Sequence, residues 1–350
     1  MSSLPPDQEL SWAKPLSIDL LLKVLNVTFL HPFVAWMIPL CMRAQAMRWN
    51  NPYIQAAIGY ASFLTFLFFA NILNKQIAYS KPRKVKHSDE VIVITGGASG
   101  LGLLIAEVYG MRGASVAVLD IKGLDSGEAR GVSVYQCDVG DKEQVAKAAL
   151  EIERDLGAPT VLINNAAIVN GKPLLELSAE EIDQNFRVNL LSHFYTIKRF
   201  LPNMIAGNGT IVTISSVLGQ LGAAQLSDYA ASKAAITAMH KSLEQELNST
   251  PNVKTVLVTP GQLTTPLFHG VKTPSSFFAP ELEPVEVAKE VIAAIDAGSS
   301  MELSMPLYAR WVGWMNVMPV GVQTILRKFS GVDTGMKSFI GRKGNKESLI

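Results

Sequence analysis

The sequence predicts an α/β protein whose main domain is a doubly wound parallel sheet, preceded by an apolar membrane-anchoring region. Three observations predict this fold class: an uncharged run near the start, alternating strand and helix patterns after residue 87, and a glycine-rich turn after the first predicted strand. The 350 residues are enough for one large domain with added segments. We divide them into an anchoring region at 1–87, the sheet domain at 88–305 and an apolar helical tail at 306–350.

The composition argues against several classes of protein. The chain has 31 basic and 30 acidic residues, so no excess of positive charge indicates nucleic acid binding. Charged residues make up 17% of the chain, against about 25% in ordinary soluble proteins, and the apolar excess lies near the start. The two cysteines, Cys41 and Cys137, are too far apart in sequence to predict a metal site or a disulfide framework.

The run at 53–73 is the best candidate for a transmembrane helix, with a buried core helix as the alternative. Its 21 residues carry no charge, and a helix of this length matches a hydrocarbon core of about 30 Å. An earlier stretch at 24–42 contains Pro32 and Pro39, which kink or break helices, so it either spans the membrane or returns to the same leaflet. Five bases follow the long run, and the positive-inside rule then puts the sheet domain in the cytosol. They are Lys75, Lys81, Arg83, Lys84 and Lys86.

Short β-rich runs alternate with helix-length segments after residue 87. Strands are predicted at 91–95, 115–120, 132–137, 161–164, 210–215 and 253–258, with a further short one near 302–305. Helices are predicted at 101–112, 142–156, 179–204 and 226–247. Because strands that alternate with helices form parallel sheets covered on both faces, this pattern predicts the fold class.

A glycine-rich turn joins the first predicted strand to the first helix, reading TGGASGLG from Thr95 to Gly102. Glycines permit a tight turn and let the backbone approach a pyrophosphate at the helix N-terminus. Asp120 ends the next predicted strand, where an acid binds ribose hydroxyls and repels a 2′-phosphate. The sequence therefore predicts a Rossmann-type dinucleotide site that favours NAD, while Lys122 nearby keeps NADP open.

Tyr229 and Lys233 form a candidate acid–base pair. Residues four apart lie on one face of a helix. An ammonium group beside a tyrosine favours the phenolate, so we expect Lys233 to lower the pKa of Tyr229 from its ordinary value of about 10. This spacing also occurs on ordinary helix surfaces, so its meaning depends on motifs elsewhere in the chain.

The motifs across residues 90–305 resemble those of the short-chain dehydrogenase/reductase family. The glycine turn is similar to the family's TGxxxGxG motif, and the segment at 137–139 is similar to one that contacts adenine. The segment at 164–167 resembles the NNAG motif with Ala167 in place of its glycine, which we expect to strain the turn mildly. Pro260 begins a segment similar to PGxxxT, which in the family holds the nicotinamide carboxamide.

The resemblance implies a catalytic tetrad of Asn189, Ser216, Tyr229 and Lys233. Ser216 lies thirteen residues before Tyr229, the usual interval in the family, and is therefore preferred to its neighbour Ser215. The tyrosine would transfer a proton, the serine would hold the substrate oxygen, the lysine would bind the nicotinamide ribose, and the asparagine would support a proton-relay water. The implied cofactor-binding residues are Gly96, Ser99, Gly100, Leu101, Gly102, Asp120, Asp138, Val139, Asn165, Ala166, Tyr229, Lys233, Pro260, Gly261 and Thr265.

Two apolar regions after Pro260 bear on the substrate. A proline-rich loop carries Phe268, Phe277 and Phe278, which suit a lipophilic ligand. The mostly apolar stretch at 311–326 is short for a membrane span and predicts an interfacial helix with tryptophans at headgroup depth. The alternative is a tail that packs on the domain.

The layout resembles the membrane-anchored retinol dehydrogenase and 17β-hydroxysteroid dehydrogenase-like branch of the family. This resemblance implies NAD-linked oxidation of a lipophilic alcohol, such as a retinoid, a sterol or a long-chain alcohol, at the endoplasmic reticulum or lipid droplets. It also implies a homodimer with the Tyr229 helix in its interface. Two alternatives stay open: an NADPH-dependent lipid ketone reductase, and a non-catalytic dinucleotide-binding membrane scaffold.

Overall fold

The computed structural model describes residues 16–79, 81–250, 252–271, 273 and 275–341. The chain divides into two compact units, the first comprising Met1–Ser80 with Ser276–Phe278 and the second comprising Lys81–Ser275 with Ala279–Ile350. The first fifteen residues of the predicted anchoring region and the last nine of the predicted tail lie outside the described residues.

The first unit contains three helices among its described residues: α1 at Ile18–Val27, α2 at Pro32–Ala44 and α3 at Pro52–Ala78. Helix α3 includes the whole predicted run at 53–73 and is long and apolar enough to cross a membrane. Helices α1 and α2 are bent by 53° at the break between them. The apolar stretch at 24–42 is therefore two helices. Pro32 begins α2 at a position that suits proline, whereas Pro39 lies inside α2 without ending it.

Helix α2 packs against α3 through small side chains. Ala35, Ala61 and Leu64 form a buried cluster between the two helices. Nearby, the Trp36 indole Nε1 donates a hydrogen bond to Thr65 Oγ1 at 2.9 Å. Small residues and interhelical hydrogen bonds are the interactions that join helices in an apolar solvent, so the pair is built as membrane helices are.

The second unit is organised around a seven-stranded parallel sheet in the order β3-β2-β1-β4-β5-β6-β7. The strands are β1 Val91–Thr95, β2 Ser115–Asp120, β3 Val132–Gln136, β4 Val161–Asn164, β5 Thr210–Ile214, β6 Lys254–Pro260 and β7 Met301–Met305. Strands β1, β4, β5 and β6 are buried along their whole length, because helices cover both faces. The predicted doubly wound parallel sheet is confirmed.

Seven helices follow in the described part of this unit. They are α4 Gly100–Met111, α5 Lys142–Leu156, α6 Ala179–Phe186, α7 Ser192–Gly207, α8 Ser227–Glu246, α9 Pro284–Asp296 and α10 Val320–Ser330. Helices α4 and α9 cover one face of the sheet, whereas α5, α7 and α8 cover the other. The predicted helix at 179–204 is interrupted by a π-helical turn at Arg187–Leu191, a feature that periodicity did not predict.

The chain enters this unit at the amino-terminal edge of the sheet. Arg83 forms a bidentate ion pair with Glu90, at 2.9 and 3.0 Å, and both side chains are only 6% exposed. The guanidinium also donates to Thr210 Oγ1 at 2.8 Å, while the hydroxyl of Thr160 donates to Glu90. These residues lie before or at the first residues of β1, β4 and β5. The segment that follows α3 is therefore fixed at the edge opposite the strand ends that carry the predicted site.

Candidate functional site

The candidate site lies at the carboxyl edge of the sheet, and its first part is the glycine turn between β1 and α4. Gly96 has φ +63° and Gly100 has φ +57°, a region that glycine adopts without strain. A Cβ on Gly96 would lie 2.7 Å from Ala166 Cα, and one on Gly102 would lie 2.6 Å from the Gly96 carbonyl oxygen. Side chains at these places would therefore push the turn away from its neighbours.

The segment after β4 supports this turn. The Asn165 amide Nδ2 donates to the carbonyls of Thr95 and Gly96 at 3.1 and 2.9 Å. Thr95 Oγ1 in turn accepts hydrogen bonds from the backbone N–H groups of Asn165 and Ala166. Ala167 is not among the described residues with positive φ, so the strain expected there was wrong. Outside the left-handed region, alanine adopts its backbone conformation without steric strain.

These features fit the pyrophosphate of a dinucleotide. Helix α4 begins at Gly100, directly after Ser99, and the N–H groups of a first helical turn have no partners within the helix. A Cβ on Gly100 would meet nothing nearer than Thr265 Cγ2 at 3.8 Å, so there is space between the turn and the segment after β6. The Leu101 side chain is buried in the core, which leaves only its backbone to contact a ligand.

Asp120 ends β2 beside the same turn. Its carboxylate accepts hydrogen bonds from the backbone N–H groups of Ala98 at 3.1 Å and Lys122 at 3.3 Å. The Lys122 ammonium forms an ion pair with Asp125. The acid is therefore held against the turn, while the nearest base is paired with a different carboxylate.

The remaining predicted cofactor residues occupy the ends of β3 and β6. Asp138 follows β3, is exposed, and accepts a hydrogen bond from Gly140 N–H at 2.9 Å, whereas Val139 is buried. Pro260 is the last residue of β6 and Gly261 follows it. Asp138, Val139 and Gly261 thus lie on loops at the carboxyl edge, and Pro260 ends the strand there.

Tyr229 and Lys233 project from the first half of α8 towards this edge. Their side chains are buried, with residue exposures of 4% and 2%. Lys233 Nζ donates to the Ile214 carbonyl at 2.9 Å and lies 5.6 Å from the centroid of the Tyr229 ring. The helical spacing thus brings the two side chains together at the end of β5.

Burial dominates the electrostatics of this pair. It raises the pKa of Tyr229 above its ordinary value, and a hydrogen bond with Ser216 lowers that pKa by less. Burial also lowers the pKa of Lys233 to about 7. The expectation that Lys233 lowers the pKa of Tyr229 below its ordinary value was wrong. Desolvation of the phenolate is the larger effect, and the ammonium donates to Ile214.

The two serines after β5 have different surroundings. Ser215 Oγ donates to the Lys233 carbonyl at 3.0 Å and lies 2.7 Å from Thr237 Oγ1, so it is held against α8. Ser216 Oγ accepts from Leu218 N–H at 3.2 Å and is hydrogen-bonded with Tyr229. Of the two hydroxyls, that of Ser216 is the one beside the tyrosine.

Asn189 lies in the π-helical turn and is fully buried. Its Oδ1 accepts from Ile168 N–H at 2.8 Å, and its Nδ2 lies 2.9 Å from the Ile168 carbonyl. The same Nδ2 is 3.2 Å from Asn185 Oδ1 and 3.3 Å from Ser232 Oγ. The amide therefore joins the π turn to the segment after β4 and to α8, and so fixes the position of the tyrosine helix.

Apolar side chains from distant segments surround Tyr229. The Phe268 ring stands edge-on to the tyrosine, with centroids 5.5 Å apart and planes at 84°. Leu226 and Met336 form a buried cluster with Tyr229, and Phe339 packs against it. The tyrosine thus lies against an apolar wall.

Met336 and Phe339 belong to a segment at 335–341, which we call the C-terminal strap. Ile340 N–H donates to the His269 carbonyl at 3.0 Å, which ties the strap to the loop after β6. Neither wall residue was expected from the sequence. Two apolar residues three apart were the only signal, and they do not indicate a contact with a residue about a hundred positions earlier.

The predicted substrate loop divides between the two units. Phe268 lies in the second unit, on the Tyr229 ring. Phe277 belongs to the first, where its carbonyl accepts a hydrogen bond from Ile18 N–H at 3.1 Å.

A parallel sheet with a glycine turn after β1 and buried serine, tyrosine and lysine side chains at its carboxyl edge defines a dinucleotide-dependent α/β oxidoreductase. The model of the short chain dehydrogenase family matches residues 90–275, and the chain belongs to this family. It is an enzyme that uses NAD(P) to oxidise or reduce at a CH–OH carbon.

Similar proteins include members of a retinol dehydrogenase-like branch. The chain is 31% identical to short-chain dehydrogenase/reductase family 16C member 6 of Bos taurus, over 85% of this chain and 96% of the relative. It is 32% identical to epidermal retinol dehydrogenase 2 of Mus musculus, over 75% and 89%. Among solved structures, a short chain dehydrogenase from Burkholderia cenocepacia in complex with NADP is 25% identical with a TM-score of 0.58, covering 70% of this chain and 99% of its own.

Proposed function

We propose that this enzyme interconverts a lipophilic alcohol and its carbonyl compound with NAD at a membrane, and that Tyr229 is its general acid and base. The observation that carries the proposal is the buried group of Ser216, Tyr229 and Lys233 at the carboxyl edge, beneath an apolar wall. A hydroxyl, a phenol and an ammonium are the groups that a carbonyl reduction or an alcohol oxidation requires at the substrate oxygen.

The polar residues have different roles in this reaction. During oxidation the Tyr229 phenolate accepts the hydroxyl proton as the substrate C–H bond breaks and the C=O bond forms; during reduction the phenol returns that proton. Bound nicotinamide supplies or accepts the hydride. Ser216 donates a hydrogen bond to the substrate oxygen, and protonated Lys233 stabilises the phenolate. Asn189 holds the tyrosine helix and, by family resemblance, a proton-relay water.

The family resemblance also assigns Lys233 to the binding of the nicotinamide ribose. The preference for NAD over NADP is assigned to Asp120. The turn from Gly96 to Gly102 contains no basic residue to receive a 2′-phosphate. The Asp120 carboxylate lies at that turn, and the pairing of Lys122 with Asp125 reduces the one positive charge nearby. Both features favour ribose hydroxyls over a phosphate.

The lipophilic substrate and the membrane are supported by independent features. Phe268, Met336 and Phe339 give the space around Tyr229 an apolar wall. Helix α3 is long enough to span a bilayer, and five bases follow within thirteen residues of the run at 53–73, which supports a cytosolic catalytic unit. The endoplasmic reticulum or lipid droplets are proposed from the family resemblance. The similar protein from Mus musculus carries the name epidermal retinol dehydrogenase 2.

We also propose a homodimer that pairs two copies of α8. Ala231, Ala234 and Ala238 are exposed on this helix and leave a flat face for close packing. An Ala234→Arg variant should halve the protein mass that light scattering measures for the detergent-solubilised enzyme, with Leu150→Arg at an exposed position of α5 as the control substitution. An unchanged mass would remove α8 from the interface.

The test of the enzyme is a paired screen in liposomes. The full-length protein is given retinoid, sterol and long-chain alcohols with NAD or NADP, and the matching carbonyl compounds with NADH or NADPH. Turnover should be highest with an alcohol and NAD, and Tyr229→Phe should reduce it at least about a hundredfold while the affinity for NAD stays unchanged. Tyr135→Phe, which removes a hydroxyl near the surface, is the matched control.

Three outcomes contradict parts of the proposal. Preferred turnover of ketones with NADPH would support the lipid ketone reductase instead. Binding of NAD with no turnover of any substrate would support a non-catalytic scaffold. Equal activity of Tyr229→Phe and the wild type would remove the tyrosine from the reaction.

A further inference from the structure

The stretch between Glu302 and Asp333 has an unusual charge pattern. None of the residues 303–332 is acidic, whereas Arg310, Arg327 and Lys328 are basic. The rest of this stretch is mostly apolar. It contains two turns of 3-10 helix at Leu307–Arg310 and Val312–Val317, followed by α10. The helix expected at 311–326 therefore begins only after Pro319, because the proline cannot continue a preceding helix.

One side of this stretch is docked on the catalytic unit. Ala309 and Val312 are buried with Val217. The Asn316 side chain donates to the Gln220 carbonyl at 3.2 Å. Arg327 adds a hydrogen bond to the Gly222 carbonyl at 2.7 Å. The contacted residues belong to the loop that joins Ser216 to Tyr229, so the position of the stretch is set by the loop beside the candidate site.

Other side chains of the stretch are apolar and exposed. Trp314 is 62% exposed and Phe329 is 85% exposed, although both are large aromatic residues that folding normally buries. The exposed apolar residues that we call the tail face are Trp311, Trp314, Val317, Val320, Val322, Ile325 and Phe329. Exposed apolar side chains in such number mark a contact with a membrane or another protein.

The charge pattern distinguishes between these two occupants. Tryptophan side chains concentrate at the headgroup depth of a bilayer, and bases beside an apolar surface attract anionic lipid. Arg310 and Lys328 are exposed at the two ends of the tail face, and no acid lies in the stretch to repel phosphate. A second copy of this chain, with 31 basic and 30 acidic residues, has no overall excess of negative charge to attract those bases.

We propose that the tail face binds the surface of a bilayer that contains anionic lipid, as a membrane contact separate from α3. Trp311 and Trp314 lie at the level of the headgroups, and the apolar side of α10 lies against the acyl chains. Since the docked side of the stretch rests on the loop before Tyr229, this contact brings the opening of the candidate site to the lipid. The proposal does not depend on the identity of the substrate.

Spin labels on the full-length protein test the contact. In a Cys41→Ser background, with Cys137 buried and therefore unreactive, a nitroxide is attached at Trp314→Cys, Ile325→Cys or Phe329→Cys. The control is Leu150→Cys on α5, an apolar position with 63% exposure on another surface. The protein is reconstituted in vesicles of phosphatidylcholine with phosphatidylserine, and collisions of each label with oxygen and with a water-soluble nickel complex are measured.

The proposal expects the three tail labels to collide several-fold more with oxygen than with the nickel complex, and the control label to show the reverse. Adding Lys328→Glu should move the Phe329 label towards water. Tail labels as accessible to nickel as the control would overturn the proposal. Labels shielded from both reagents and broadened by a neighbouring label would overturn it in favour of a second copy of the chain. Because the readout needs no turnover, it also works in Tyr229→Phe and fails independently of the proposed reaction.

Discussion

Lys233 Nζ lies 5.6 Å from the centre of the Tyr229 ring and donates its hydrogen bond to the Ile214 carbonyl. The ammonium is thus close enough to act on a phenolate but is anchored to the end of β5. Burial has opposite effects on the two groups, since it raises the pKa of the tyrosine and lowers that of the lysine to about 7. Above pH 7 the Lys233 side chain is therefore mostly uncharged, and Tyr229 is uncharged there as well until the pH reaches its raised pKa.

The buried lysine makes stability depend on pH. The pKa of Lys233 is about 7 in the folded protein, against an ordinary value of 10.5 for an exposed lysine. Between these two pH values the unfolded chain therefore binds more protons than the folded protein. Stability should therefore rise with pH from 7 to about 10, by at most about 1.4 kcal/mol per pH unit. We expect the unfolding temperature of the wild type in detergent to rise over this range relative to Lys233→Met.

The control for this measurement is Lys241→Met, whose side chain is 57% exposed on the same helix. Its unfolding temperature should follow that of the wild type at every pH. Parallel curves for the wild type and Lys233→Met would show that the lysine keeps its charge when it is buried.

The two serines after β5 should have separable effects. Ser216→Ala removes the hydroxyl beside Tyr229, and we expect turnover to fall by about a hundred- to a thousandfold with little change in stability. Ser215→Ala removes a hydroxyl that contacts Lys233 and Thr237, so it should lower the free energy of unfolding by about 1–3 kcal/mol and leave the turnover of the folded enzyme near normal. Steady-state kinetics and urea unfolding distinguish the two. The reverse pattern would make Ser215 the reacting serine.

Asp120 should set the choice of nucleotide. Asp120→Ala removes the carboxylate at the glycine turn, so NAD affinity should fall by about tenfold and the advantage over NADP should narrow. Fluorescence titration of the purified protein with both nucleotides measures this. Asp125→Asn removes a nearby charge of the same sign and should leave NAD affinity unchanged. An undiminished preference in Asp120→Ala would transfer the discrimination to another residue.

The Arg83–Glu90 pair should be important for stability but not for chemistry. Arg83→Met leaves a buried carboxylate without its partner, which should cost about 3–5 kcal/mol of unfolding free energy. Arg154→Met breaks an exposed pair with Asp155 and should cost less than about 1 kcal/mol. Urea unfolding in detergent compares them. Equal costs would mean that the Arg83 pair is effectively solvated.

The C-terminal strap should determine how well long substrates bind. Phe339→Ala opens the apolar wall near Tyr229, so kcat/KM for a long-chain or cyclic alcohol should fall by about tenfold or more. The value for a short alcohol should change little, because a short substrate does not reach the wall. Phe329→Ala removes an exposed phenylalanine from α10 and serves as the control in detergent. Equal losses for short and long alcohols would assign Phe339 a purely structural role.

Most of the regular structure could be predicted because it follows local patterns. The strands β1, β2 and β4 have the predicted bounds, since each is a short apolar run that ends at a turn or an acid. The break before Pro32 followed the rule that proline begins helices more easily than it continues them. Although the family resemblance implied a kinked helix at Asn189, periodicity could not predict the π-helical turn at Arg187–Leu191, because one additional residue in a turn changes the helical period too little to detect.

The sequence by itself determined the order of motifs, the parallel sheet and the residue types at the candidate site, because each depends on residues close together in the chain. Tertiary structure alone decided that burial raises the tyrosine pKa. It also brought Met336 to the tyrosine and left Trp314 exposed. These outcomes depend on desolvation and on contacts between residues about a hundred positions apart, and no local pattern of residues records either.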